Sequence, residues 1–291
     1  MTDQIFCEPK PGFVAHTAAS RVLAENPLMR DFVGNVCEVR FPASARTTDA
    51  LQKYGQSENS SQSGFSLCNN TARGLYDEIS YHPEQARRWN GAMSALATQI
   101  NFDFILGSFP WASYTDATVL DIGGGCGDVS IGLAKHLPST RFVVQDISDT
   151  AREQGADASA EFGARLTFQA YDFRVLQPVG NADIYYFRNI FHNWPDKDCV
   201  EILRNQIPSL KKDARLVIDD FTLHEPGTLS ACEERKRRWM DINMLVYFGS
   251  RERTLEDWRA LLTAADPRFV LLNVKVAANQ PNTILEVAWA G

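Results

Sequence analysis

The stretch Val119-Leu-Asp-Ile-Gly-Gly-Gly-Cys-Gly-Asp128 limits what this chain can fold into more than any other. An apolar run from about Thr118 meets three consecutive glycines, a fourth follows at Gly127, and a helix-compatible run extends from Val129 to Leu137. That is the order strand, tight turn, helix. Glycine suits such a turn because, lacking Cβ, it takes φ > 0 freely and lets a ligand lie against the backbone. Counting G-x-G-x-x-G from Gly123 puts Asp128 in the last slot, so a dinucleotide fingerprint fails, and without Lys-Ser/Thr after the glycines a P-loop fails too. What is present is an acid, Asp121, two residues ahead of Gly123. It would repel phosphate and suits a cationic, amine-bearing ligand.

A second acid agrees. Arg141-Phe-Val-Val-Gln-Asp146 is another buried-strand pattern ending in a carboxylate, at about the 20-residue spacing from which an acid accepts ribose hydroxyls. Either acid alone reads more simply as a turn cap. The pair around this loop describes a nucleoside with a positive tail, and S-adenosyl-L-methionine (SAM) is the common ligand of that kind.

The 291 residues suffice for one large domain, or one domain with an appendage. A net charge of −7 spread over the length argues against a nucleic-acid surface and an anionic membrane. Arg235-Lys-Arg-Arg238 beside Glu233 and Glu234 reads as a solvated helix face. The six cysteines are dispersed without C-x-x-C, which fits reduced thiols in a cytoplasmic protein and offers no metal site. No apolar run reaches the ~18 residues of a membrane span, and no secretory leader is evident.

Residues 5–15 read as a hairpin around a Pro/Gly turn, followed by a helix from Ala18 to Leu23 opened by Thr17. Pro42 to Tyr54 is helical in pattern, Gln56 to Ser66 an exposed, polar loop, and Gly74 to Leu96 one or two helices broken near His82-Pro83, with Trp89, Met93 and Leu96 on one stripe. Beyond the glycines, strands at 165–170, 182–187 and 215–220 alternate with helices at 195–210, 229–246 and 255–265, and strands at 269–276 and 282–289 close as a hairpin. Along the 195–210 helix, Val200, Leu203, Ile207 and Leu210 fall on one face. The alternation predicts an α/β, Rossmann-like doubly wound sheet, mostly parallel, with a C-terminal antiparallel hairpin and preceding helices.

In such a sheet ligands bind beyond the carboxyl ends of the strands, which gathers Asp121, Asp146, Asp172, the 188–194 loop and Asp219-Asp220 into one cleft. His192 is the one histidine among them and is the candidate general base, able to take a proton from a phenol-like hydroxyl. Its second nitrogen needs a holder, for which Asp220 and Glu252 are the candidates. Taken alone, His192 would more simply be a loop histidine bonded to backbone.

Leu120-Asp-Ile-Gly-Gly-Gly-Cys-Gly127, Phe187-Arg-Asn-Ile-Phe-His-Asn-Trp-Pro-Asp-Lys-Asp198, Ala214-Arg-Leu-Val-Ile-Asp-Asp220 and Glu252-Arg-Thr together resemble the caffeate-type SAM-dependent O-methyltransferases, in particular their fungal secondary-metabolism branch. The resemblance implies that His192 is the catalytic base flanked by Asp220 and Glu252. It implies that Gly123, Gly125, Asp146, Asp172, Phe173 and Arg188 contact the cofactor, that Trp89 and Met93 enclose the acceptor, and that Met240 and Met244 lie on the helix closing the pocket. The acceptor would be an aromatic, polyketide- or alkaloid-like small molecule methylated on oxygen. Two alternatives share the resemblance: a pericyclase in which SAM acts only electrostatically, with Arg188 polarising a carbonyl, and an inactive SAM-binding protein. Asn193 stands where plant members usually have Asp. The family carries an N-terminal winged-helix dimerisation domain, of which residues 5–40 resemble only the last hairpin and connecting helix. Residues 1–42 are therefore expected to be a remnant of that region, 43–100 a helical linker over the substrate pocket, and 101–291 the SAM-binding catalytic domain. A homodimer follows if the N-terminal region is complete.

Overall fold

A computed structural model describes residues 3–55, 57–277 and 280–291. Strands β1 (Phe6–Lys10) and β2 (Phe13–His16) form a separate antiparallel hairpin. The main sheet contains β3 (Thr118–Ile122), β4 (Arg141–Asp146), β5 (Leu166–Ala170), β6 (Ile184–Arg188), β7 (Arg215–Leu223), β9 (Phe269–Lys275) and β10 (Asn282–Trp289) in the order β5-β4-β3-β6-β7-β10-β9. The two-residue β8 (Arg253–Thr254) pairs with the far end of β7. Pairing is parallel from β5 through β7 and antiparallel for β10 with both β7 and β9. The expected doubly wound sheet with a terminal antiparallel hairpin is what the chain forms. Chain order reverses direction at β3, so the glycine loop that follows it opens at the topological switch point.

The strands read as near-continuous apolar runs because both faces are covered. On one face Leu120, Ile122, Tyr185, Phe187, Leu216, Ile218 and Leu285 meet helices Asp196–Gln206 and Leu255–Ala265. On the other, Val119, Phe142, Val144, Ile184, Tyr186 and Val217 meet helices Phe102–Ser108 and Asp128–His136. A third cluster, formed by Ala43, Phe65, Leu75, Ile79, Trp89, Met244, Val246, Tyr247 and Phe248, joins the N-terminal helices to helix Ala231–Phe248.

Five expectations need correction. Of the expected 56–66 loop, Gln56 lies outside the described residues and 57–66 are not an exposed loop: Ser63 to Ser66 are buried, and Ser63 Oγ donates to the Tyr247 carbonyl at 3.1 Å, because small residues let this segment press close to helix Ala231–Phe248. The stripe on helix Pro83–Ala97 is Trp89, Ala92 and Ala95, while Met93 and Leu96 are 37% and 44% exposed. Helix Asp196–Gln206 buries Cys199, Ile202, Leu203 and Gln206, and Ile207 and Leu210 fall outside it, as Pro208 follows. Asp219 and Asp220 do not close β7, which continues to Leu223. Arg237 is buried, not solvated, and donates to the carbonyls of Thr222, Gln280 and Pro281. The sequence pattern also missed helix Pro27–Asn35 and the π-turn Val36–Arg40.

Trp258 is buried edge-on against Phe191, with ring centroids 5.6 Å apart. Trp258→Ala should therefore cost about 3–5 kcal/mol, read as a lower urea midpoint with an unchanged m-value.

Candidate active site

The loop after β3 is built for close approach by a ligand. Gly123 and Gly125 have φ of +71° and +56°, a region that residues with a Cβ avoid. A Cβ on Gly123 would lie 2.5 Å from Ile190 Cδ1, whereas one on Gly125 would meet nothing within 4 Å, so the loop presents bare backbone to open space at that point. Gly123 and Gly124 donate to the Gln145 carbonyl at 2.7 and 3.2 Å, and Gly125 donates to Asp146 Oδ2 at 3.0 Å. Asp146 Oδ1 accepts from the Ser148 amide at 2.8 Å. Burial raises the Asp146 pKa against the pull of these two amides. Asp121 faces away from the loop's open side: it is buried in β3, accepts from Ser130 Oγ at 2.6 Å, and burial pushes its pKa up to about 6. Asp172 chelates Arg174, and Phe173 packs edge-on to Trp194 at 5.7 Å and lies beside Gly123. Arg188 is ion-paired to Asp219, which also accepts from Tyr186 Oη at 2.6 Å and Asn282 Nδ2 at 2.9 Å.

His192 sits on the turn Phe191–Asn193, which follows β6. The turn is pinned by Arg253, itself buried, whose guanidinium donates to the carbonyls of Phe191 and Trp194, both at 2.8 Å, and is ion-paired to Asp196. His192 is 7% exposed. Its Nδ1 lies 2.9 Å from Glu252 Oε1 and 3.5 Å from Asp220 Oδ1, and its backbone N–H donates to Asp220 Oδ2 at 3.3 Å. The Glu252 amide in turn donates to Asp241 Oδ1 at 2.9 Å. Burial alone would lower the imidazole pKa, but the two facing carboxylates outweigh it and push the value up to about 9. Burial likewise raises Asp220 to about 6 despite the neighbouring imidazole. Both sequence candidates for the histidine's holder are thus in place, with Glu252 the closer. The three donor atoms lie within 4.8 Å of one another, a spacing a cation could bridge, although the 2.9 Å hydrogen bond already occupies the gap between His192 and Glu252.

Trp89 and Met244 are buried in one cluster, against which Met240 packs. Met93 is not among them. Sequence reasoning placed Asp219 in the cleft without its pairing to Arg188, and gave no role to Tyr76, Asp241 or Arg253. Of these three only Arg253 had a visible cue, inside the quoted Glu252-Arg-Thr motif.

A doubly wound sheet with a glycine bend and a carboxylate at the next strand end defines a nucleoside-binding α/β protein of the Rossmann-like transferase class. Residues 54–267 match the O-methyltransferase domain family model, and the chain belongs to that family, whose cofactor is SAM. It is 40% identical over 290 residues to the grayanic acid biosynthesis cluster O-methyltransferase of Cladonia grayi, covering 98% of this chain and 60% of that protein. It is 34% identical over 297 residues to the chlorophenol O-methyltransferase of Trichoderma longibrachiatum, covering 99% and 64%. The chain therefore spans less than two thirds of the length of these relatives. Among solved structures, a pericyclic reaction enzyme superposes with a TM-score of 0.83 at 22% identity over 99% of this chain and 74% of that one, a likeness of fold alone.

The His192 ring should titrate by NMR near pH 9, and Glu252→Gln should bring the midpoint down; a wild-type midpoint at or below 6.5 would exclude the carboxylate pairing. Because the folded value lies above the unfolded one, this pairing stabilises fully below about pH 6.5 and is lost as pH rises through about 9. Urea resistance should fall over that window in the wild type and less in His192→Gln.

Proposed function

We propose that the chain is a SAM-dependent O-methyltransferase acting on a phenolic hydroxyl of a small secondary metabolite, with His192 as the general base. The observation that carries this reading is the imidazole whose Nδ1 is held by Glu252 at 2.9 Å with Asp220 behind it. With Nδ1 committed, Nε2 is the nitrogen left to take a proton. The raised basicity favours the reaction: a phenol has a pKa near 10, and a base of about 9 is a closer match to it than a free histidine at about 6.5.

The site's residues also fit the cofactor. Gly123 and Gly125 leave backbone bare, and the Asp146 carboxylate, fixed by the Gly125 and Ser148 amides, keeps lone pairs with which it would accept the ribose hydroxyls. Asp172, Phe173 and Arg188 flank the same strand ends, and Asp121 lends negative charge from beneath the loop. When bound, SAM supplies an electrophilic methyl on a sulfonium. The protein's part is to hold the two reactants in line and accept the proton. Trp89, Met240 and Met244 offer an apolar wall for an aromatic acceptor; Met93, the fourth residue expected there, is 37% exposed on the helix that carries Trp89. The name of the chlorophenol relative supports a phenolic acceptor.

On this reading residues 43–100 cover the acceptor and 101–291 hold the cofactor. Hairpin β1–β2 is exposed along its length, with Phe13 and Val14 at 67% and 64%, and its lack of a core supports a homodimer through residues 1–42. Among the described residues there is no disulfide, and no helix is long and apolar enough to cross a membrane, which fits a cytoplasmic setting. A pericyclase using Arg188 to polarise a carbonyl is the less favoured reading, since Nη1 of that guanidinium is paired with Asp219.

His192→Ala should lose ~10²–10⁴-fold in kcat while the Kd for SAM stays within a factor of about two, scored by S-adenosylhomocysteine release and a product mass gain of one methylene. Undiminished turnover would remove the assigned role, and an isomerised product without that mass gain would remove the activity. Wild-type kcat/KM should rise with pH toward an inflection near 9, as the imidazole of the free protein loses its proton.

A further inference from the structure

Asp241 carries a half-buried carboxylate that none of these roles uses. It stands in the interior of the 18-residue helix Ala231–Phe248, where Asp is among the less favourable residues. Neither end of the helix needs it. Ser230 shares a capping box with Glu233 at the N-terminus, and Gly249 closes the C-terminus in the left-handed region at φ +60°. Among the described residues Asp241 makes one hydrogen bond, in which Oδ1 accepts from the backbone amide of Glu252 at 2.9 Å. A carboxylate acceptor makes the shorter, stronger kind of hydrogen bond, which suits an anchor.

Glu252 has reason to need one. Its Oε1 meets His192 Nδ1 at 2.9 Å, while the buried Oε2 has no hydrogen-bond partner among the described residues. With no second hydrogen bond to steady the carboxylate, its placement follows that of the backbone that carries it. The chain is fixed on either side: Ser250 donates to the Met244 carbonyl at 3.3 Å, and Arg253 pairs with Thr222 where β8 runs beside β7. At Glu252 itself the amide is held by Asp241. The contacts thus run in series from helix Ala231–Phe248 through Asp241 and Glu252 to the imidazole.

We propose that Asp241 is a positioning residue: by holding the Glu252 amide it sets the Glu252 carboxylate against His192 Nδ1, and so fixes the ring orientation and tautomer that leave Nε2 free to take a proton. This rests on the reading of His192 as the base of an O-methyltransferase and adds a residue to that site. The bond that Nδ1 makes decides which nitrogen of an imidazole carries the proton, so a displaced Glu252 would cost basicity as well as alignment. Asp241 also lies between Met240 and Met244, on the helix that the same reading makes a wall for the acceptor. Base and acceptor wall then share one support.

Two substitutions separate this role from a structural one. Asp241→Ala removes the hydrogen-bond acceptor yet favours the helix, whereas Asp241→Asn keeps an oxygen for the Glu252 amide and removes only the charge. In Asp241→Ala the His192 midpoint, read by NMR, should fall from near 9 by about one pH unit or more, toward the ~6.5 of a free imidazole. With catechol as acceptor, kcat should drop about tenfold or more while KM and the Kd for SAM stay within about twofold. Asp241→Asn should bring the midpoint back to within about half a unit of wild type and kcat to within about threefold. In a Glu252→Ala background, adding Asp241→Ala should change kcat by less than about twofold, because the two residues act through one contact.

An unmoved His192 midpoint in Asp241→Ala, an Asp241→Asn protein as impaired as Asp241→Ala, or a full further loss on top of Glu252→Ala would each overturn the proposal. An Asp241→Ala protein that loses SAM affinity or its folded NMR spectrum assigns the residue to the fold and overturns it too. If the wild type transfers no methyl group to catechol, it is the assigned activity that loses support, and the His192 midpoints of the variants still decide whether Asp241 holds the pair.

Discussion

One imidazole is enclosed with two carboxylates in the interior of this protein, and much of the surrounding architecture serves to keep the three together. Isolated, each buried charge would cost several kcal/mol, and only close pairing with added hydrogen bonds offsets that. Asp220 contributes from within β7, where pairing with Thr283 of β10 fixes its position one residue beyond Asp219, the last partner of β6. Glu252 comes from a distant segment whose register is set by β8 against β7, and the Asp241 carboxylate accepts its backbone amide. Arg253 then ties the histidine's turn to that same segment through the Phe191 and Trp194 carbonyls. The arrangement is thus over-determined from three directions.

Carboxylates in this cleft do different work because their neighbours differ. Asp146 meets backbone amides, which favour its charged form and leave it able to accept from hydroxyls. Asp220 and Glu252 meet an imidazole, so their charge is converted into basicity at a nitrogen. Asp121 is buried in β3 and accepts from Ser130 Oγ. Helix Pro83–Ala97 spans these environments: Ser94 donates to Asp128 at 3.1 Å, Asn90 to Ser148 at 3.5 Å, and Trp89 packs in the cluster of Met244 and Phe248. The helix therefore touches both the first residues after the glycine loop and β4 and the third apolar cluster.

Much of the fold was legible because its signals are local. Apolar runs ending in acids marked β3 and β4, Gly-rich punctuation marked the turn, and Thr17 was recognised as the cap that the structure confirms with its 3.4 Å contact to the Ser20 amide. Where periodicity misled, packing had overridden it. On helix Pro83–Ala97 small residues face inward and Met93 outward, since a close helix contact needs Ala92 and Ala95. Arg237 looked solvated by composition, yet it satisfies three carbonyls near the β9–β10 connection. Ser63 to Ser66 read as loop because polar, small residues carry the same signature whether they face water or a neighbouring backbone.

The sequence by itself determined the order of strands and helices, the glycine bend with its two acids, and the identity of the histidine with its two candidate holders, because residue type and spacing along the chain encode these. Tertiary structure alone decided that Glu252 lies nearer than Asp220, that Arg188 is committed to Asp219, and that the Tyr76 hydroxyl accepts from Asn193. Those facts depend on distances between groups 28 positions apart, as with His192 and Asp220, up to 117, as with Tyr76 and Asn193. Only the register of a folded sheet, and the burial that sharpens each electrostatic contact, sets such distances.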